Sequence, residues 1–184
     1  MPRVPLVDVA SLAAPVRERV EGHPINLYKT LAHLGDGFLA FSNLGQWIRH
    51  KSHLEGRTRE MAILAVGIIN ESAYELSHHI KIGRDFGLSD TDIEGVVAYL
   101  DGRPSGLSDP DQLVVAATRE ITVDGKISDA TWDALSATYE LELRIELTLV
   151  VAFYSAVTRL LGSLEVEVEE KYQGYLTEFG FDFD

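Results

Sequence analysis

The chain of 184 residues contains no cysteine. Disulfides, thiol nucleophiles, thiolate metal sites and redox-active CxxC pairs are therefore excluded together. Long apolar runs are also missing, because charged side chains interrupt the most apolar stretch, residues 141–161. A membrane helix needs about 20 consecutive apolar residues, and the N-terminus lacks the apolar core of a signal peptide. We therefore expect a cytoplasmic protein without a membrane partner.

Positive charge is scarce in this sequence. Lysine and arginine total 16, against 29 aspartates and glutamates, which gives a formal net charge of -13. An acidic surface repels nucleic acid, so we expect no nucleic-acid partner. Hydrophobic residues make up 46% of the chain, which is ordinary for a globular protein and sufficient for one sizeable core. No repeat or linker divides the chain, so residues 1–184 are predicted to form a single domain.

Apolar residues recur at helical spacing, and glycine, proline and serine mark where the helices begin and end. This pattern predicts an all-α protein. The alternating segment LEVEV, residues 164–168, is ambiguous because a lone strand has no partner. The nine predicted helices cover residues 9–20, 24–34, 37–49, 57–70, 72–86, 89 onward, 108 onward, 130–139 and 141–161.

Three polar side chains fall on one face of the predicted helix 72–86. At about 100° per residue, Ser72, Glu75 and His79 lie within roughly 60° of one another. They border an apolar stripe that includes Leu76 and Ile80. A hydroxyl, a carboxylate and an imidazole next to a core-facing stripe are candidates for a site, although Glu75 and His79 are also spaced as an ordinary surface pair.

The preceding predicted helix adds a second carboxylate. If the two helices form an antiparallel hairpin, Glu60 lies about 16 Å from the turn and His79 about 12 Å from it, at 1.5 Å rise per residue. Glu60, Ser72, Glu75 and His79 could then line one groove as a proton-transfer set. The chain holds a single Glu-x-x-His motif at Glu75, whereas a di-iron bundle needs two. We therefore predict neither a metal nor another cofactor.

These residues fall in a recognisable order. The stretch from residue 57 to 93 resembles the carboxymuconolactone decarboxylase and alkylhydroperoxidase D-like (AhpD-like) superfamily. The resemblance covers residues 25–165 and leaves an N-terminal extension and an acidic C-terminal tail. Its motifs are R-x-x-E-x-x-x-L, then H-x-x-x-A/G, then G-L-S/T-x-x-E/D-I, matched here by Arg57, Glu60 and Leu64, by His79 and Gly83, and by Gly87, Leu88, Ser89, Asp92 and Ile93.

The resemblance also separates two branches of the superfamily. In the peroxidase branch a glutamate, a CxxC pair and a histidine form a relay, and these positions correspond to Glu60, Ser72, Glu75 and His79. A serine cannot cycle through sulfenic acid and disulfide. Thiol peroxidase chemistry is therefore excluded, and the chain resembles the decarboxylase-type branch that lacks CxxC.

The resemblance further implies a multihelical AhpD-like fold that assembles as a homo-oligomer, a trimer or hexamer, with a dimer possible. It implies a cofactor-free lyase that decarboxylates a small carboxylated lactone or a related organic acid, as in the catabolism of aromatic compounds. His79 would be the general acid or base, with Glu75 and Glu60 tuning it. The alternative is a non-catalytic small-molecule-binding or assembly protein on the same scaffold. The residues predicted to bind the organic acid are Ser72, Arg57, Trp47 and His53.

Overall fold

The computed structural model describes residues 2–181, and in this part of the chain all regular secondary structure is helical. The all-α prediction is confirmed. Short 3₁₀ turns at Val9–Ser11 and Ala32–Leu34 and a π-helical turn at Glu120–Asp124 accompany the α-helices. The ten α-helices are α1 (Ala14–Gly22), α2 (Asn26–Leu31), α3 (Asp36–His50), α4 (Gly56–Ile69), α5 (Ala73–Asp85), α6 (Asp90–Leu100), α7 (Asp109–Arg119), α8 (Asp129–Thr138), α9 (Leu141–Leu164) and α10 (Glu170–Glu178).

Local signals set the ends of the helices that carry the candidate site. The Ser72 side chain caps α5 by accepting a hydrogen bond from the backbone N–H of Glu75. Gly87 follows α5 with φ of +93°, a backbone conformation that favours glycine. Leu88 then packs against Gly83, and its N–H donates to the Gly83 carbonyl at 2.9 Å. These are the caps that the sequence predicted for this helix.

The chain departs from the predicted elements at both ends. The predicted helix 9–20 is divided into the 3₁₀ turn and α1, because residues 12 and 13 between them adopt extended conformations. In the ambiguous tail, Glu165 has a left-handed backbone with φ of 50° and ends α9. Residues 166–169 continue without regular structure, and α10 follows and packs on α5. Up to residue 181 the tail contains no strand, and it supplies the tenth helix.

Helix α4 occupies the centre of the fold. All residues from Thr58 to Gly67 are buried, and α4 contacts α5, α6, α7 and α9. The absence of a side chain on Gly67 permits close packing, because a Cβ there would lie 3.2 Å from the Leu76 side chain. The α4–α5 pair is antiparallel, as predicted, since Gly67 meets Leu76 near the turn while Glu60 meets His79 far from it.

Helix α9 has 24 residues and is long and apolar enough, by length and composition, to cross a membrane. Core helices of globular proteins also have these properties, and α9 packs against α4, α5 and α8. Part of its surface remains uncovered, since Leu141 and Ile145 are each 56% exposed. The middle of α9 supplies Tyr154 and Val157 to the buried region beside α5.

Candidate functional site

An ion pair between Glu60 of α4 and His79 of α5 lies at the centre of the molecule. The His79 Nδ1 atom is 2.7 Å from Glu60 Oε2, and the exposed fractions of the two residues are 4% and 0%. The other oxygen of Glu60 accepts a hydrogen bond of 3.0 Å from the Nε of Arg59, which is also buried. A carboxylate with no access to water is thus balanced by two nitrogen donors, as a buried charge requires.

Glu75 approaches the opposite side of the same imidazole. Its Oε2 lies 3.2 Å from His79 Nε2, one helical turn away on α5. Glu75 is 4% exposed, so this contact is shielded from water as well. The predicted proximity of Glu60, Glu75 and His79 is confirmed by these distances, although their catalytic roles remain predictions.

The surroundings of His79 determine its charge. Both ring nitrogens face carboxylates, which accept but do not donate when ionised, so the ring is best satisfied with both protons. Burial alone would lower the pKa of His79, but the interactions with Glu60 and Glu75 raise it to about 9. Burial would raise the pKa of Glu60, whereas His79 and Arg59 hold it below its ordinary value. At neutral pH the site therefore holds an imidazolium between two carboxylates.

The His79 ring and the Glu75 carboxylate reach an internal cavity between α2, α3, α5 and α9. Its empty volume is about 480 Å³, including the space at its mouth. Phe41 of α3 and Phe153 of α9 form an aromatic wall, with ring centroids 5.1 Å apart. Tyr154 contacts His79 edge to face at 5.1 Å. The cavity is suited to a small, flat molecule.

Several buried polar atoms around this cavity have no hydrogen-bond partner among the described residues. They include Glu75 Oε2, His78 Nε2 and Tyr154 Oη. The first two lie near an opposite charge, but without the alignment of a hydrogen bond. Buried polar groups are normally paired. Their concentration at one cavity indicates a place for a polar ligand or for ordered water.

The C-terminal tail packs against Tyr74 and His78, two residues of the cavity wall. The Glu169 Oε1 atom accepts hydrogen bonds from the backbone N–H of Asn26 and, at 3.0 Å, from the Tyr74 hydroxyl. The Glu169 Oε2 atom lies 3.0 Å from His78 Nε2. The His78 ring is stacked between Tyr74 and Tyr172, with centroid distances of 4.3 and 3.9 Å. Burial would raise the pKa of Glu169, but His78 and the backbone donor lower it to about 2.

This arrangement changes the interpretation of His78. The sequence places Tyr74 and His78 one turn apart and suggests a partly exposed face or an oligomer contact, but both are buried, at 4% and 6% exposure. The residues around Tyr74 and His78 give no sign that Glu169 and Tyr172 cover these two side chains. His78 therefore belongs to the cavity wall.

The model of the carboxymuconolactone decarboxylase family matches residues 33–101, which include Glu60, Glu75 and His79. The resemblance inferred from the sequence is confirmed. A comparison with curated protein sequences found no match.

Solved structures match almost the whole chain. An uncharacterized peroxidase-related protein from Ralstonia eutropha JMP134, described as an alkylhydroperoxidase AhpD core, is 20% identical with a TM-score of 0.79 and covers 94% of each chain. The chain has the AhpD-like fold. A peroxidase-related protein from Silicibacter sp. TM1040 is 19% identical with a TM-score of 0.75, over 94% of this chain and 96% of that one.

Another match shows that proteins of this fold differ in activity. The debrominase Bmp8, solved in complex with 2,3,4-tribromopyrrole, is 16% identical with a TM-score of 0.77 and covers 96% of both chains. At these identities the comparisons establish the AhpD-like fold and leave the reaction to be argued from the site.

Within the AhpD-like fold, the residues predicted to bind substrate lie outside the cavity. Arg57 pairs with Asp92 at 2.7 Å and with Asp111 at 2.8 Å, so its charge is already balanced. Trp47 packs against the buried cluster formed mainly by α4, α7 and α9. Ser72 caps α5 and faces a separate surface depression. These placements do not support the predicted contacts with substrate.

His53 also lies away from the cavity, in the one group of described residues whose spacing could hold a metal ion. Its Nδ1 is 3.2 Å from Glu142 and 3.5 Å from Glu146, and the ligand atoms of the three side chains lie within 4.8 Å of one another. The side chains of His53 and Glu142 are 70% and 69% exposed. Glu146 in addition accepts hydrogen bonds from the Ser52 hydroxyl and the Leu54 backbone N–H.

Arg49 of α3 is a cavity residue that the sequence reasoning missed. It follows Phe41 and Gly45 at intervals of four residues, so the three share one face of α3, and all three line the cavity. This spacing could have predicted Arg49 as a cavity residue, since it places a cation at the end of an apolar stripe. By contrast, Tyr154 on α9 carried no such signal, because it lies within a continuous apolar segment.

Proposed function

We propose that the protein is a cofactor-free lyase that decarboxylates a small carboxylated lactone or a related organic acid. The observation that carries the proposal is the His79 imidazolium, held between Glu60 and Glu75 at the wall of an enclosed cavity. Loss of CO₂ leaves an electron pair on carbon, and a proton must replace the departing group. A protonated histidine shielded from bulk water is suited to supply that proton.

In the proposed reaction His79, Glu60 and Glu75 each have a separate role. The bond between the ring carbon and the carboxylate carbon breaks, CO₂ leaves, and the electron pair is delocalised into the lactone carbonyl as a dienolate. His79 donates its Nε2 proton to carbon. The ring is then neutral, and its remaining proton stays on Nδ1, hydrogen-bonded to Glu60. Glu60 remains ionised and orients the ring, while the nearby Glu75 carboxylate stabilises the positive charge of the ring before transfer. A proton from solvent then restores the imidazolium.

The aromatic wall supports the first step. Charge on a carboxylate is dispersed as CO₂ forms, so a poorly solvating environment favours the transition state over the charged ground state. Phe41 and Phe153 provide such an environment beside His79 and Glu75. Glu60 is unsuited to be the direct acid, because its pKa is lowered by His79 and Arg59 despite its burial and it therefore stays ionised.

The proposal is tested with a panel of carboxylated γ-lactones, by measuring CO₂ release and, in D₂O, deuterium incorporation into the product. His79→Gln removes the transferable proton and is expected to lower turnover by about 10²–10⁴-fold. Glu60→Gln/His79→Gln is measured beside it, because the double variant removes both charges of the pair and leaves no lone buried carboxylate. His33→Gln is the matched control, since His33 is exposed and hydrogen-bonds to Pro5.

Unchanged turnover in His79→Gln on an active substrate would reject the proposed acid. A second function, a non-catalytic binding protein, is favoured by the unpaired polar atoms that surround the cavity. It predicts that panel compounds raise the melting temperature while neither CO₂ nor deuterated product forms.

A further inference from the structure

Arg49 is a cation in the cavity wall for which the described protein supplies no acidic partner. Its Nη2 donates to the Tyr28 hydroxyl at 3.0 Å, and no carboxylate among the described residues lies within 4.0 Å of its nitrogens. The other charged groups of the site are matched, since His79 and Arg59 balance Glu60 and Glu75. Arg49 therefore leaves one positive charge beside the cavity.

The surroundings of Arg49 are those of an oxyanion-binding group. Tyr154 lies beside the same guanidinium, and its buried hydroxyl has no aligned hydrogen-bond partner among the described residues. Tyr28 contributes a second phenol. A guanidinium presents several donors in a rigid plane that matches a carboxylate. The guanidinium N–H groups that do not contact Tyr28, together with the Tyr154 hydroxyl, could donate to the two oxygens of one bound carboxylate.

The position of this group relative to His79 matters for the chemistry. Tyr154 joins the two, because its ring contacts the His79 imidazole while its hydroxyl end lies beside Arg49. A cation that held the departing carboxylate would stabilise the ground state and slow its loss. Arg49 should therefore hold an anionic oxygen that persists through the reaction, with the reacting carbon turned toward His79.

From these observations we propose that Arg49, with Tyr28 and Tyr154, is the positioning and specificity-determining group that receives a persistent oxyanion of the ligand. This inference rests on the proposed function for the orientation of the ligand. Its test measures binding and does not require that the protein turn over a substrate. It also identifies the local basic element that a protein of net charge -13 requires to admit an anion.

The test uses the full chain and two probes of the same shape, furan-2-carboxylate and furan-2-carboxamide, titrated by calorimetry at pH 7. The wild-type protein is expected to prefer the carboxylate by at least about 10-fold, because a charge-assisted hydrogen bond is roughly twice as strong as a neutral one. Arg49→Gln should abolish this preference. Arg49→Lys should keep part of it, since the charge remains but the planar fork is lost.

Two controls separate this inference from the proposed function. Arg119→Gln makes the same charge change at an exposed position at the end of α7 and should leave the preference unchanged. Glu60→Gln/His79→Gln, which removes both charges of the buried pair and leaves Arg49 in place, should keep the preference even though it loses turnover. Retained turnover in His79→Gln together with a lost preference in Arg49→Gln would reject the acid and support the anion site.

A purely structural role for Arg49 gives a different result. In that case Arg49→Gln would lower the melting temperature through loss of the Tyr28 contact, while its preference for the carboxylate would equal that of the wild type. That outcome, or equal binding of carboxylate and amide by the wild type, overturns the inference. If Arg49→Gln fails to fold, Arg49→Lys decides, since an undiminished preference in that variant contradicts the fork geometry.

Discussion

The side chain of His79 ionises while it is buried between two carboxylates, so its protonation is linked to folding. The folded protein holds this proton more tightly than the unfolded chain, with a pKa of about 9 against the ordinary 6.5. The stabilisation is therefore complete below about pH 6.5 and is lost as the pH rises through 9. Glu60 acts in the opposite direction, because its lowered pKa gives stability that is lost as the pH falls below its ordinary 4.5.

We predict that the free energy of unfolding decreases by up to about 3 kcal/mol between pH 6.5 and 9.5 and that His79→Gln largely removes this decrease. Urea titrations at half-unit pH intervals measure it. A wild-type curve that is flat across this window would show that His79 is not held as an imidazolium.

The turn between α4 and α5 contains a second residue-scale feature. Glu71 has φ of 50°, a left-handed conformation that is unfavourable for a residue with a Cβ. Glu71→Gly should therefore raise the free energy of unfolding by about 0.5–1 kcal/mol. Glu18→Gly, at an exposed position inside α1, is the matched control and should lower it by about 1 kcal/mol. Chemical denaturation should give opposite signs for the two variants.

At the scale of elements, the C-terminal tail is held to the body of the protein through Glu169. Its carboxylate contacts Asn26, Tyr74 and His78. Glu169→Gln replaces the carboxylate that these three groups contact and should lower the free energy of unfolding by about 1–3 kcal/mol. Glu167→Gln makes the same change two residues away at an exposed position and should have little effect. Equal free energies of unfolding for the two variants would show that the contacts of Glu169 do not stabilise the fold.

The predictable elements are those that local chemistry determines. Helix α5 could be bounded in advance, because Ser72 and Gly87 are its own capping residues. The meeting of Glu60 and His79 followed from helical rise and a short turn. The role of the tail could not be predicted, since Glu169 acts through residues more than 90 positions away in the sequence.

The same distinction explains the aromatic residues of α3. Trp47 was predicted to bind the substrate, but it packs against the core, and Phe41 lines the cavity instead. Both assignments depend on which face of α3 meets α9. The spacing along α3 groups Phe41 with Arg49 on one face, but tertiary packing decides which face meets α9.

At the scale of the whole molecule, the uncovered apolar side chains of α9 support the prediction of a homo-oligomer. Leu141 and Ile145 lie one turn apart and are each 56% exposed. A second copy of the chain would bury such a face. Light scattering is expected to give a multiple of 20.4 kDa at micromolar concentration.

Ile145→Glu should weaken this association, because a charge would be buried in the interface. Ala130→Glu adds the same charge at an exposed position in the first turn of α8 and should leave the mass unchanged. A wild-type particle of 20.4 kDa would contradict the oligomer prediction.

The cavity is assembled from segments on both sides of the family match. Residues 33–101 contribute Glu75 and His79 to its wall, whereas Tyr28 precedes that region and Tyr154 follows it. The acid–base groups and Arg49 thus lie in the matched region, whereas the flanking segments supply part of the wall around them. A chimera that exchanges only the flanks should therefore change which ligand shapes fit, while the proton donor His79 and the cation Arg49 stay in place.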